Sequence, residues 1–519
     1  MGTISVPINS LSIKSLMKHK MVIFILSTIG EGEFPANARK FVASLQDSME
    51  PLDDVKFAVL GLGSKDFKHF CVAGIQLSEM MEQHLAHQII PFQPIDTHTA
   101  DHGESEFEQW AHKLCSALRL KSPTIGIQRL FSLTKINDDS VSSSMIRPNG
   151  FIIASLISTT KLTSDNCLRD MRLYKIKLPK GVHFSVGEYL SILPQNPPQI
   201  VDKVIDILKF DPNEAYRVML NDTSVETYVT ERVSVRQLFL QYLDLCCPPS
   251  RSLMRAFLEV ANDEGKEIIT ELLDVSKSEK LNKYIEDTNS AEFIEEFSKY
   301  GIPSIDLIMS SIKHVKPRLY TIASSPDHNN SYLEIVVTQQ RFGKDFKREG
   351  LCSTYLMNPN LKKIAVTLEP GAVTPPEDRK APVIIVCLGR GLSAALGLIR
   401  NRNEGDGDAL VLFGGKNEND YIKVVEMLRE YKNNGIITDL LFAWSDEKKH
   451  IQDVMKENKS LLGKYWLDEM ASFYYSGHPG SIPNQLKEIM LDVCIKEHGL
   501  SMEEAMAVNN RHPFIIEAY

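Results

Sequence analysis

The longest apolar runs of the chain, such as 22–26 and 381–388, are each followed directly by a glycine-bearing turn and then an amphipathic helix. Runs this short fall far below the ~20 residues of a membrane span and read as buried strands. In the first segment, 20–27 (KMVIFILS), 55–60 and 89–92 are expected as strands, with 36–48, 74–85 and 105–118 as helices. Such alternation demands a parallel sheet covered by helices on both faces. It returns from about 380 to the end. Between these ends the pattern changes to short strands with glycine turns at 151–194 (RLYKIKLP, GEYLSILP), then at 318–323, 333–339 and 363–368, which predicts an antiparallel barrel. The stretch 199–313 is mostly helix-periodic, with runs at 252–264 and 290–300, and so looks inserted between two parts of that barrel.

A chain of 519 residues holds about three domains. The expected division is an α/β unit at 1–120, a Ser- and Asp-rich linker at 121–149, a barrel at 150–198 and 314–376, a helical insertion at 199–313, and a second α/β unit at 377–519. The formal charge of −9 argues against a nucleic-acid partner. Eight cysteines without a C-x-x-C pair or Cys/His ligand spacing read as thiols in a reducing compartment, with no metal site. Residues 1–10 lack a charged-then-apolar leader, and Val6 replaces the Ser or Thr of a myristoylation signal, so a cytoplasmic protein without a membrane span is expected.

Several turns sit where a parallel sheet binds ligands, at the C-terminal ends of strands. Ser27-Thr28-Ile29-Gly30-Glu31-Gly32 runs on to Asn37, and Gly61-Leu62-Gly63 runs on to Phe67 and Phe70. Their glycines let backbone N–H groups approach a planar ring on which Phe67 can stack. In Arg318-Leu319-Tyr320-Thr321-Ile322-Ala323-Ser324-Ser325, Arg318 and Tyr320 share a strand face, one offering a fork to a phosphate and the other a flat surface to a ring. Gly350-Leu351-Cys352-Ser353 opens a helix whose N–H groups suit a pyrophosphate, although an ordinary cap would read the same way. The turn Gly389-Arg390-Gly391 has only two glycines of a dinucleotide fingerprint.

Taken in order, these motifs resemble the diflavin reductases, such as NADPH–cytochrome P450 reductase and the sulfite reductase flavoprotein, over nearly the whole chain. The resemblance implies a flavodoxin-like FMN domain, an FAD-binding barrel with a helical insertion, and a ferredoxin-reductase-like nucleotide-binding domain. Electrons would pass from NADPH through FAD and FMN to a protein acceptor. It further implies FMN contacts from Ser27, Thr28, Gly30, Gly32, Asn37, Gly61, Gly63, Phe67 and Phe70. For FAD it implies Arg318 at the pyrophosphate, Tyr320 against the isoalloxazine, Thr321 near N5, Ser324 close by, and Gly350, Cys352 and Ser353 at the phosphates. For the nicotinamide cofactor it implies Gly389, Gly391, Lys416, Ser445, Lys448 and Gln452. The catalytic group would be Thr321, Ser476, Glu517 and Tyr519.

The departures are as specific. The family's N-terminal strand and phosphate loop have no counterpart here, a part of roughly 60 residues at about 30 or more per βαβ unit, so an open sheet edge is expected. Cys387 and Ala394 replace a glycine and a proline of the nucleotide turn. Asp446 stands where the family has an arginine for the 2′-phosphate, which favours NADH over NADPH, and His450 replaces a tyrosine. Gly415 and Ser476 stand at common cysteine positions. Three readings follow: an active flavin-dependent reductase; a catalytically degenerate relative serving as a structural subunit, with a partner over the open edge; or an ordinary reductase whose recorded start is not its true N-terminus.

Overall fold

The computed structural model describes residues 4–30, 32–67, 69–99, 101–121, 126–137, 141, 147–221, 228–326, 332–342 and 348–518. The chain forms two compact units, Met1–Ser132 with Leu245–Lys313, and Leu133–Asp244 with His314–Tyr519.

In the first unit, α1 (Ile13–His19) leads into β1 (Met21–Ser27), which pairs in parallel with β2 (Lys56–Gly63) from Met21↔Lys56 to Ser27↔Leu62. On its other side β2 pairs in parallel with β3 (His87–Gln88) and β4 (Gln93–Asp96). The continuous strand expected at 89–92 is instead the gap between these two. Pro91 has no N–H to give a ladder, and the strand breaks there. The helices α2 (Ala36–Gln46) and α3 (Val72–Gln83) cover one face, packing Phe41, Leu45, Leu77 and Met81 against Phe24, Leu26, Phe57 and Val59. The helix α4 (Glu104–Ala117) covers the other with Trp110 and Leu114 against Ala58 and Leu60. That second cover stops at β2: Ile23 and Ile25 on β1 are 40% and 47% exposed. Among the described residues β1 has a strand neighbour on one side only.

The inserted helices of this unit are Arg251–Val260, Asp263–Leu273, Ser278–Asp287, Ser290–Phe297 and Ile305–Ser311. The run expected at 252–264 is broken at Asn262, whose side chain accepts from Gly265 N–H (3.0 Å) and starts a new helix. Arg251, with its side chain 2% exposed, donates from Nε and Nη2 to the two carboxylate oxygens of Glu108 on α4 (3.0 and 2.8 Å). Arg255 donates to the same carboxylate (2.5 Å), and Gln109 donates to Val275 C=O (2.8 Å). A bidentate guanidinium–carboxylate pair at this depth is geometrically demanding, and breaking it strands a buried charge.

The second unit carries three sheets. The first is small and runs β5 (Phe131–Ile136), β9 (Ala215–Leu220) and β10 (Arg232–Ser234) side by side. It draws one strand from the stretch expected as linker and two from the stretch expected as helical. FSLTKI and AYRVML alternate with a period of two, a weaker signal than the helices around them. The second sheet is antiparallel, in the order β11 (Arg318–Thr321), β8 (Tyr189–Leu193), β15 (Lys363–Glu369), β6 (Ile152–Lys161), β7 (Met171–Lys177) and β12 (Tyr332–Thr338). Its outer strands meet at an Ile322–Ile335 bridge, with Ala323 N–H donating to Glu334 C=O (2.7 Å). A short hairpin, β13 (Arg341–Phe342) with β14 (Arg348–Glu349), follows β12.

The third sheet is parallel, in the order β18 (Asp439–Trp444), β17 (Ala409–Gly415), β16 (Val383–Leu388), β19 (Ser472–Gly477) and β20 (Phe514–Ala518). Helices Leu392–Arg400 and Ile422–Asn433 pack on one face, and Ile451–Glu457, Ile482–His498 and Met502–Arg511 on the other. Strand order therefore reverses between β16 and β19, which opens a crevice at their C-terminal ends. Among the described residues no helix is long and apolar enough to cross a membrane.

Candidate functional site

The two antiparallel and parallel sheets of the second unit meet at that crevice. Thr321 ends β11, Ser476 lies near the end of β19 and Glu517 near the end of β20. All three are almost fully buried, at 3%, 4% and 3% exposure. Thr321 Oγ1 donates to Glu517 Oε1 (2.8 Å) and Ser476 Oγ donates to Glu517 Oε2 (2.7 Å). One carboxyl group thus gathers two hydroxyls from distant parts of the chain, which offsets the cost of burying it. Tyr189, paired with Thr321 across the ladder, is pushed up to about 12 by burial and then by the charge of Glu517. Three of the four residues expected to act together are therefore in contact. Tyr519 lies outside the described residues.

Along β11, Arg318 is exposed and donates to Lys316 C=O (2.7 Å), and Leu319 is 56% exposed. Tyr320 is half-buried, and its hydroxyl is raised well above the ordinary value by burial and then by Cys352. The Cys352 thiol, buried beside it, is pushed up to about 11 by burial. Cys352 therefore backs the tyrosine, and its thiol is buried in the core. Ser324 Oγ accepts from Glu334 N–H (2.9 Å). Ser353 Oγ donates to Gly350 C=O (2.9 Å) and accepts from Gln340 N–H (3.1 Å), so both hydroxyls serve the backbone. At Gly350 a Cβ would stand 2.9 Å from that of Gln340.

The turn after β16 places Gly389 at φ +52° and Gly391 against β19, where a Cβ would lie 1.9 Å from the Ser476 carbonyl oxygen. Only glycine permits that approach. At the ends of β17 and β18, Lys416, Ser445 and Lys448 are exposed. Asp446 Oδ2 accepts from Asn417 Nδ2 (3.0 Å), and its N–H donates to Lys416 C=O (2.9 Å). Gln452 Nε2 donates to Gln485 (2.7 Å) on the rim of an open cleft of about 550 Å³ between two helices. Gly415 has a packing reason: a Cβ there would stand 2.9 Å from both the Trp444 and Tyr421 rings.

In the first unit the expected loops do converge at the C-terminal strand ends. Gly30 and Gly32 take φ of +52° and +107°, Ser27 and Asn37 are exposed, and Phe67 is 45% exposed. Phe70 is half-buried, with the Lys65 ammonium 5.8 Å from its ring. Thr28 Oγ1 accepts from Ala73 N–H (3.1 Å) in the first turn of α3. At Gly61 a Cβ would stand 2.7 Å from the Phe92 ring, and at Gly63 3.0 Å from Cys71 Sγ, so these glycines are required by packing. A third loop, 96–103, was not singled out from sequence. Thr97 Oγ1 donates to Gly63 C=O (2.8 Å), and His98 Nδ1 contacts Asp66 (2.6 Å). Its Asp- and Thr-rich run directly after a strand was the available signal. Asp101 there is buried, which would raise its carboxyl, but donors from Ser105, Thr99 and Gly103 outweigh that and hold it below the ordinary value.

Comparison with known proteins agrees with this layout. A flavodoxin family model matches residues 3–110, and an FAD binding domain model matches 148–355. The sulfite reductase [NADPH] flavoprotein alpha-component of Mannheimia succiniciproducens is 25% identical over 505 residues, covering 95% of this chain and 80% of that protein. Its Bacillus subtilis counterpart is 24% identical over 512 residues, covering 95% and 79%. The NADPH–cytochrome P450 reductase of Dictyostelium discoideum is 25% identical over 541 residues, covering 94% and 79%. With a flavodoxin region, an FAD-binding region and similarity over 94–95% of its length to a sulfite reductase flavoprotein and an NADPH–cytochrome P450 reductase, the chain belongs to the diflavin reductase family.

Proposed function

We propose that the protein is a flavin-dependent oxidoreductase that takes electrons from a nicotinamide cofactor and passes them through FAD, with FMN as second flavin, to a protein acceptor. The observation that carries this reading is the Thr321–Glu517–Ser476 cluster at the strand-order reversal. The residues along β11 fit FAD, with an exposed guanidinium at Arg318 for the pyrophosphate and a half-buried ring at Tyr320, and so does the Gly350 turn that opens the helix Leu351–Met357. Bound FAD would supply the two-electron to one-electron conversion. Glu517 accepts the hydroxyl hydrogens of both Thr321 Oγ1 and Ser476 Oγ and so holds the two side chains at one point. Burial of all three excludes water from that point. In the first unit the half-exposed Phe67 and the positive-φ glycines fit the ring of FMN, and Thr28 Oγ1 accepts from the Ala73 N–H of α3.

The test is the absorbance spectrum and flavin stoichiometry of the purified protein, followed by anaerobic addition of NADPH or NADH. One FAD per chain and bleaching of the flavin band support the reading; a flavin-free protein that oxidises neither nucleotide overturns it. A second reading, a structural subunit of a larger assembly, is favoured by the half-exposed Ile23 and Ile25 on one-sided β1. Robust turnover with an artificial acceptor would count against it.

A further inference from the structure

The helix Leu392–Arg400, which follows the Gly389–Gly391 turn, lies along the continuation of β11. Three of its positions, spaced i, i+4 and i+7 and hence on one face, meet three successive residues of that chain. Ser393 Oγ donates to Thr321 C=O (2.6 Å). A Cβ on Gly397 would stand 2.7 Å from the Ile322 carbonyl oxygen. Arg400 Nη1 donates to Ala323 C=O (2.8 Å) and to Glu334 (2.5 Å). Ser393, 3% exposed, also accepts from Val336 N–H of β12 (3.1 Å). One hydroxyl therefore joins the turn helix to both strands that close the antiparallel sheet.

We propose that Ser393 is a positioning residue for Thr321. Thr321 is held by its side chain through Glu517 and by its carbonyl through Ser393, while Ile322 N–H donates to the C=O of Glu188 (3.0 Å), the residue just before β8. Removing the Ser393 hydroxyl leaves the Thr321 carbonyl and the Val336 N–H to be satisfied anew inside the core. The strand then shifts, and Thr321 Oγ1 leaves its 2.8 Å contact with Glu517. This inference rests on the reading of the Glu517 cluster as the point of electron entry.

The test is Ser393→Ala in the full-length, flavin-loaded protein, read as the rate of flavin reduction by nicotinamide nucleotide. The saturating rate should fall about tenfold, a fraction of what a displacement of ~1 Å can cost. The half-saturating nucleotide concentration should stay within about twofold, as expected for a step other than binding. In a Glu517→Gln background, Ser393→Ala should add nothing further. Tyr431→Phe deletes the hydroxyl that receives Arg400 Nε (2.9 Å) and should lower the melting temperature without slowing reduction. Ser393→Thr, which keeps a hydroxyl, should reduce at close to the wild-type rate, and Ser393→Cys, whose thiol is only a weak donor and should slow reduction in the same direction, stands in if Ser393→Ala fails to fold. Full additivity with Glu517→Gln, or equal slowing by Tyr431→Phe, overturns the proposal. If wild-type protein with bound flavin is reduced by neither nucleotide, the functional reading fails. Ser393 is then judged by the pH titration of a 13C-labelled Glu517 carboxyl, where an unchanged curve in Ser393→Ala overturns the positioning role.

Discussion

The crevice of the first unit and the cluster of the second are built on opposite plans. Loops within 27–103 line the first, and its most prominent ring, Phe67, is 45% exposed. Residues as far apart as 321, 476 and 517 make the second, and none is more than 4% exposed. In the first unit the groups that hold the fold, Glu108, Thr28 and Asp101, direct their polar atoms into other helices and turns. In the second, the carboxyl of Glu517 is at once a core polar group and the centre of the candidate site. The difference teaches that structure and chemistry are separable by mutation in one unit and fused in the other.

The largest effect should come from Glu108→Ala, which leaves the Arg251 and Arg255 guanidinium groups without their shared carboxylate. A loss of about 3–5 kcal/mol is expected. Hydrogen exchange should show it on α2 to α4 and on the inserted helices together; loosening of only one of these sets would break the picture of a clamped unit. Next comes Glu517→Gln, which gives one hydroxyl an amide nitrogen in place of an acceptor and should cost about 1–3 kcal/mol. Flavin reduction should slow with it. A loss of stability without slower reduction would separate structure from chemistry in the second unit and collapse the contrast.

Thr28→Val removes the acceptor for Ala73 N–H and should cost about 1 kcal/mol, as lost helix caps do. The spectrum of any flavin in the second unit should not change. The smallest effect is one of pH. Because the Asp101 carboxyl is held below its ordinary 3.8, its contribution is full above that value and is lost as pH falls through the lower, folded one. Asp101→Asn should flatten this acid limb of a denaturation series, and an unchanged limb would mean that the 103–105 donors do not favour the ionised form.

Much of the fold was legible because its strands are short apolar runs that end in glycine turns. KMVIFILS, VKFAVL and APVIIV all proved to be parallel strands. What escaped was carried by weaker local signals: the break at Pro91, and the alternating FSLTKI and AYRVML strands amid helical sequence. The motif residues of the site could be read along the chain, but their use of hydrogen bonds could not. That Ser324 accepts from Glu334 N–H and Ser353 from Gln340 N–H was not readable from the chain, since these partners lie 10 and 13 residues away. Ser393 was invisible for the same reason, since its partners lie 57 and 72 residues away.

In a parallel ladder the N–H and C=O of one residue point to the same side. Lys20 C=O and Thr28 N–H both bond to the β2 side, which assigns the even-numbered residues of β1 to that neighbour. Met21, Ile23, Ile25 and Ser27 therefore direct their amides outward. The strand should exchange its hydrogens with deuterated solvent at two alternating rates, slow at Val22, Phe24 and Leu26 and fast at the odd positions between them. Any molecule that comes to lie along this edge would announce itself by erasing the alternation.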